Sequence, residues 1–363
     1  MPTEAEWRLR RIFRSLRCKQ QRMHDSRQGG PRKRYGRERE VELKTYELDA
    51  AGPVPLDGPE AQLRMRRLDR FADSTGIFPM LAGVTAVYLL FFVGYPIVYN
   101  VILSLQDVTV SNLKSINRPW VGFDNYRRLM SDPLFWLIMR NTAIFVGLNV
   151  VLQCIGGLAA ALFFQRDFPG ASFMRGLILA GWILPPLVVG AVWKWLLASD
   201  NGLVNYALMS FGIIHDPVYW LADPAIALLS VSIANIWLGL PFNMILISAG
   251  LAGIPKDIYE AAALDGAGPF RRFAAITLPM LRPTIYALVT LSTIYTLRAF
   301  DMIWTMTHGG PVDSSNIFTS WSYKLSFETF DFGGGAAIST FMLVVVFAVA
   351  IVYARSVRTE IQL

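Results

Sequence analysis

The apolar positions of this chain fall in long, nearly unbroken runs, each interrupted by few polar residues. Hydrocarbon about 30 Å thick needs about 20 mostly apolar residues at roughly 1.5 Å of helical rise each to cross it. The pattern predicts six such helices, near 77–99, 138–164, 174–197, 224–250, 284–306 and 335–354. Pro79, Pro96, Pro185, Pro186 and Pro241 lie inside these runs. A spanning helix tolerates proline where neighbouring helices or waters satisfy the freed carbonyl, so a packed bundle is expected rather than six isolated anchors. The runs divide the chain into a polar tail, 1–75, a membrane domain, 76–355, and a short polar end, 356–363.

Composition agrees with this all-α membrane fold. The chain is 53% apolar and only 17% charged, with a mean hydropathy of +0.39, well outside the usual soluble range. Basic residues set the expected orientation: 18 of the 34 Lys and Arg precede the first run, which biases that end to the cytoplasm. Six crossings return the C-terminus to the same side. Arg166, Arg175, Lys256, Arg271, Arg272, Arg282, Arg355 and Arg358 fall on that side, and loop 198–223 on the other holds no Lys or Arg. Loop 106–137 runs against the pattern with Lys114, Arg118, Arg127 and Arg128, but long translocated loops obey the rule poorly.

Cys18 and Cys154 fall in the tail and the second run, so they offer neither a disulfide nor a metal framework. The first run is too long and too far from the start for a secretory signal and serves as its own insertion signal. The tail mixes both charges with few aromatics, as disordered segments do. Within it Leu9, Ile12, Phe13 and Leu16 recur at helical spacing among Arg8, Arg10, Arg11, Arg14 and Arg17, as in a basic helix lying on anionic lipid. A tail without a role, or a start at Met23 or Met65, accounts for the same composition. No aromatic-interleaved basic fold supports nucleic-acid binding.

A polar island, 256–279, separates the fourth and fifth runs. Lys256 to Phe273 is helix-prone, with Asp257 placed as an N-cap, and Gly266 and Gly268-Pro269 divide it into two short helices. It carries Glu260-Ala261-Ala262-Ala263-Leu264-Asp265-Gly266, then Ile276-Thr277-Leu278-Pro279. Glu-Ala-Ala alone occurs in many helices, but the complete order between two spans resembles the cytoplasmic loop of bacterial ATP-binding-cassette importer permeases. Small residues at Ala261, Ala262 and Gly266 let another surface approach the backbone, and Phe270 and Phe273 would anchor it.

The resemblance extends over about 77–354 and narrows to the sugar-importing permeases of the maltose and glycerol-3-phosphate type. Val121-Gly122-Phe123-Asp124-Asn125-Tyr126 with Asn141-Thr142, Gly202-Leu203-Val204-Asn205 and Trp220-Leu221-Ala222-Asp223-Pro224 carry it. So do Pro241-Phe242, Phe300-Asp301, Thr307-His308-Gly309-Gly310-Pro311 and Phe332-Gly333-Gly334-Gly335-Ala336-Ala337-Ile338-Ser339. His308 departs from the pattern, standing where the family often has a small residue, and the 75-residue tail is longer than most.

The family implies a type I importer permease in the inner membrane, paired with a second related permease, two cytoplasmic ATPases and an extracytoplasmic solute-binding protein. Glu260, Ala261, Ala262, Asp265, Gly266 and Phe270 would dock an ATPase. ATP and Mg would be bound there and not by this chain, which lacks Gly-x-x-x-x-Gly-Lys-Ser/Thr; Gly333-Gly334-Gly335 has no following Lys and reads as a close-packing or bending feature at the start of the sixth span. The resemblance also implies a mid-membrane sugar site on the fourth and fifth spans. Asn235, Leu238, Gly239 and Phe242 share one helix face there, and Ser292, Tyr295, Thr296 and Ala299 form an equivalent stripe. Aromatic Trp237, Phe242 and Tyr295 offer stacking to sugar CH faces, and Asn235, Ser292 and Thr296 offer hydrogen bonds.

Packing accounts for each of these residues singly as well as solute binding does. Lys194, between Trp193 and Trp195, reads as an interfacial lysine. Arg298 and Asp301 are spaced to pair with each other on the fifth span. A relay of Asp, Glu or His through the core is lacking, which disfavours an ion-driven carrier working alone; an importer for amino acids, peptides or anions remains the nearer alternative, though charged solutes call for charged cavity groups.

Overall fold

The computed structural model describes residues 77–115, 117–166 and 168–361. The readings of the tail 1–75, Cys18 included, lie outside them, as do the last residues of the polar end. Residues from Tyr88 onward form one compact unit.

The described chain is helical, with two isolated β-bridges, Gln106 with Trp120 and Thr109 with Asp331. In order the helices are α1 Ile77–Leu89, α2 Tyr95–Ser104, α3 Asp124–Ser131, α4 Pro133–Phe164, α5 Ala171–Ile183 and α6 Pro186–Leu196. There follow α7 Leu203–Ser210, α8 Ala227–Ala252, α9 Lys256–Leu264, α10 Pro269–Arg272, α11 Leu278–Met280 and α12 Arg282–Leu297. The last three are α13 Asp301–Thr307, α14 Phe318–Tyr323 and α15 Phe332–Ile361. Four stretches are long and apolar enough to cross a membrane: Pro79–Ser104, Pro133–Phe164, Ala227–Ala252 and Phe332–Arg355. Two bent pairs, α5 with α6 and Pro269–Met280 with α12, make six if each counts as one span.

Two expected spans are not continuous helices. The run 174–197 turns by 102° between α5 and α6. Leu184 and Pro185 are both extended, at ψ 138° and 134°, because a residue preceding proline is pushed out of the helical region. Pro186 then opens α6 at its first turn, where a missing N–H costs nothing. The run 284–306 ends as a helix at Leu297 and restarts at Asp301. Arg298 and Asp301 therefore do not share a helix, and no ion pair forms between them. Pro241, by contrast, is accommodated inside α8.

Three apolar clusters hold the bundle. Phe135, Ile138, Leu297, Phe318, Trp321 and Ile338 join α4, α12, α14 and α15. Phe145, Val189, Val231, Met302 and Ile303 join α4, α6, α8 and α13. Phe164, Met244, Ile247, Leu281 and Leu288 join α4, α8 and the start of α12. Every cluster includes α4, and α4 lies close against α8: a Cβ at Gly157 would stand 2.6 Å from that of Asn243 and 3.0 Å from its backbone. Small residues permit this approach in a bundle whose cohesion comes from packing rather than from exclusion of water.

The motif asparagines fasten loops. The Asn125 amide donates to the carbonyls of Ser104 and Gln106, Asn141 to those of Asp313 and Asn316, and Asn205 to those of Ser199 and Val218. The triple glycine does serve close packing, since a Cβ at Gly333 would stand 2.6 Å from the Gln106 carbonyl. Asp331 caps α15 by accepting from the Gly334 N–H at 2.8 Å, and Arg128 donates to the same carboxylate at 2.6 Å. His308, at φ 54°, ends α13 in the left-handed region that favours glycine, and its ring packs 4.9 Å from that of Trp304.

Candidate functional site: a central cavity and an exposed polar hinge

A cavity of about 440 Å³ opens between α5, α6, α8 and α12. Both discontinuities contribute to it: Trp182, Leu184 and Pro186 from the first, and Arg298, Ala299, Phe300 and Asp301 from the second. The proline stop and the helix end at Leu297 thus bring residues of both breaks to a cavity, where a membrane protein tolerates irregular backbone.

The α8 stripe faces this space through Asn235, Leu238, Gly239 and Phe242, and the α12 stripe through Ser292, Tyr295 and Thr296. Trp237 is not part of the lining. It lies two residues beyond Asn235, some 200° round the helix at about 100° per residue, and meets Trp193 edge-on at 6.3 Å. Its indole also covers Gly181, where a Cβ would stand 3.1 Å away. Its place on the aromatic wall is taken by Trp182, which stacks on Phe242 at 5.7 Å. Phe242 in turn meets Tyr295 at 5.8 Å. Tyr295 is 61% exposed.

The polar groups are tied together across three spans. Asn235 Nδ2 donates to Asn149 Oδ1 at 2.7 Å, and Gln153 Nε2 to the Asn235 carbonyl at 3.0 Å. Gly239 makes room for this, because a Cβ there would run into the Gln153 amide. Asn243 Nδ2 donates to the Gly239 carbonyl at 2.9 Å, and Ser292 Oγ to Asn243 Oδ1 at 3.2 Å. Gln153 and Asn243 also line the cavity. Periodicity within α8 and α12 has no means of finding Gln153 or Trp182, which come from other helices, whereas Asn243, eight residues after Asn235, continues the α8 stripe beyond the residues named for it from sequence.

The polar island builds a separate feature. Pro255 is the residue before α9, and Asp257 lies in its first turn without a capping bond, so the expected N-cap is absent. A start at Lys256 leaves Asp257 two positions past the N-cap, where its charge still complements the helix terminus. α9 ends in a Schellman motif: Gly266 sits at φ 76°, its N–H donates to the Ala263 carbonyl, and Ala267 N–H donates to that of Ala262 at 2.9 Å. Glu260, Ala261, Asp265, Gly266 and Phe270 are exposed and Ala262 is half-buried. Leu264, read in sequence only as a helix former, is 90% exposed beside Phe270 at 82%. Behind this surface Tyr259 packs on the cluster around Leu281 and shares a hydrogen bond of 2.9 Å with Thr277. Thr277 closes a π-helical turn, Phe273–Thr277, that leads through α11 and a 64° bend into α12. The hinge is thereby joined to a span that lines the cavity.

Among the described residues no cluster of His, Cys, Asp and Glu has the makings of a metal site. Residues 153–360 match the family described as binding-protein-dependent transport system inner membrane component. The chain is 35% identical over 280 residues to the trehalose/maltose transport system permease of Thermococcus litoralis, covering 77% of this chain and 91% of that one. It is 33% identical to the diacetylchitobiose uptake system permease of Streptomyces coelicolor, over 77% and 88% of the two chains. To the sulfoquinovosyl glycerol transport system permease of Agrobacterium fabrum it is 31% identical, over 77% and 90%. In fold it is similar to a subunit of a bacterial ABC transporter for the acidic polysaccharide alginate, at a TM-score of 0.68 and 22% identity, covering 81% of this chain and 99% of that one. The chain belongs to the binding-protein-dependent transport system inner membrane components, the permease subunits of ATP-binding-cassette importers.

Proposed function

We propose that this chain is one of two related permease subunits of an ATP-driven carbohydrate importer, and that its cavity is the passage site for a sugar, oligosaccharide or polyol. The carrying observation is the lining of that cavity, which joins the aromatic Trp182, Phe242 and Tyr295 with the neutral polar Asn235, Ser292 and Thr296. Rings suit the CH faces of a pyranose, and amide and hydroxyl groups suit its hydroxyls. Relatives that carry trehalose and maltose or diacetylchitobiose support the same class of cargo.

An extracytoplasmic binding protein delivers the solute in this reading, and both termini and the α9 hinge face the cytoplasm. ATP and Mg are held by two separate ATPases, which seat α9 by way of Glu260, Ala261, Ala262, Leu264, Asp265, Gly266 and Phe270. When the ATPases close on ATP they push α9. Tyr259 and the turn at Thr277 carry that displacement into α12, and the cavity changes the side to which it opens. Only a difference in ATP affinity between the two ATPase states can drive this exchange.

Leu264 and Phe270 are exposed, so polar replacements there spare the bundle. Purification of the chain expressed with its genomic neighbours is expected to retrieve an ATPase, and the Leu264→Asp/Phe270→Asp variant to lose it while still assembling with the second permease. Retention of the ATPase by that variant would contradict docking through α9.

A further inference from the structure

Arg298 and Asp301 are the charged side chains among the residues that line the cavity. Both are exposed, and among the described residues neither side chain has an ion-pair or hydrogen-bond partner. Ionisable side chains that face a cavity in a membrane protein mark a solute path. The break after Leu297 is why the two do not satisfy each other: an uninterrupted helix would stack them one turn apart, whereas here Arg298 closes α12 and Asp301 opens α13. Phe300 lies between them on the same lining.

We propose that Arg298 and Asp301 are specificity-determining residues that grip a pair of neighbouring hydroxyls on an uncharged sugar or polyol, with Phe300 against its ring. This rests on the carbohydrate reading of the cavity and narrows it to neutral solutes. A carboxylate is a pure acceptor and a guanidinium a pure donor, so together they need partners that both donate and accept, and a vicinal diol does so at adjacent atoms. The two charges cancel. A carboxylate- or sulfonate-bearing solute would satisfy Arg298 but bring a like charge to Asp301, whereas a neutral polyhydroxylated one satisfies both.

The test uses the complete importer in proteoliposomes, with its binding protein saturating, ATP supplied at the ATPase face, and radiolabelled maltose, trehalose, cellobiose and sorbitol as probes. Asp301→Asn and Arg298→Gln are each expected to lower uptake of the transported probe by about tenfold or more, since bonds to charged groups are the stronger ones, while both variants still copurify with the ATPases. Exchange of the two charges, Arg298→Asp with Asp301→Arg, is expected not to restore uptake, because the solute's hydroxyls are read in place. Unaltered uptake in both single variants, or recovery on exchange, would overturn the inference in favour of inert charges or a structural ion pair. If the unaltered importer takes up none of the probes, the carbohydrate reading itself falls, and this inference with it.

Discussion

Gly266 shows how much a single residue carries. Its φ of 76° lets Ala267 reach back to the Ala262 carbonyl and ends α9 with Leu264 and Phe270 both outward. A β-branched side chain in that conformation costs about 1–2 kcal/mol, whereas asparagine adopts it readily. Gly266→Asn is therefore expected to support uptake near the normal rate and Gly266→Val to reduce it severalfold, and equal uptake by the two in proteoliposomes would remove α9 geometry from the mechanism. The glycine is legible in sequence because a helix-prone stretch stops there. Asp257 is misplaced by two positions in the sequence pattern, since the helix starts at Lys256 and Pro255 takes the N-cap position. Trp237 misleads for a different reason: its chemistry suits a sugar, but its angle on α8 turns it to Trp193. Residue type is visible in a sequence, and facing direction follows only once the stripe is respected to the residue.

At the scale of elements, hydropathy locates the membrane-crossing stretches because apolar runs of this length rarely occur outside a bilayer. It does not locate the bends. Pro185 and Pro186 stop a helix, while Pro241 stays inside one; the tandem pair extends two successive residues, Leu184 and Pro185, and the single proline does not. The break at Arg298 to Phe300 leaves still less trace, and it converts an apparent intrahelical ion pair into two cavity-lining charges. Gln153 escapes a reading of α8 and α12 because it belongs to α4 and meets Asn235 across the bundle, whereas Asn243 continues the α8 stripe and only its bond from Ser292 is hidden from a single helix. The connection between elements can be tested at Tyr259, whose hydroxyl meets Thr277 at 2.9 Å. Removing one such bond costs about 0.5–1.5 kcal/mol. Tyr259→Phe is expected to leave the assembled importer intact and to lower the sugar moved per ATP hydrolysed. An unchanged ratio would show that the push reaches α12 by packing alone.

Across the whole molecule, three apolar clusters all meet on α4, so this helix is the fixed post against which α8, α12 and α13 are arranged. The cavity lies beside it, and the hinge at α9 to α11 joins the two spans that wall the cavity from either side of the loop. This is the geometry an ATP-driven permease needs: one surface to receive force, one site to be exposed in alternation, and a short connection between them. A carrier working alone would need a gradient-coupled charge relay instead, and the charges at the cavity are confined to Arg298 and Asp301. The most direct test is uptake of radiolabelled neutral disaccharides by proteoliposomes that hold this chain with its second permease and ATPases and are supplied with the loaded binding protein. Accumulation that requires ATP and is unmoved by collapse of ion gradients is the predicted result. Accumulation without ATP, driven by a gradient alone, would contradict it.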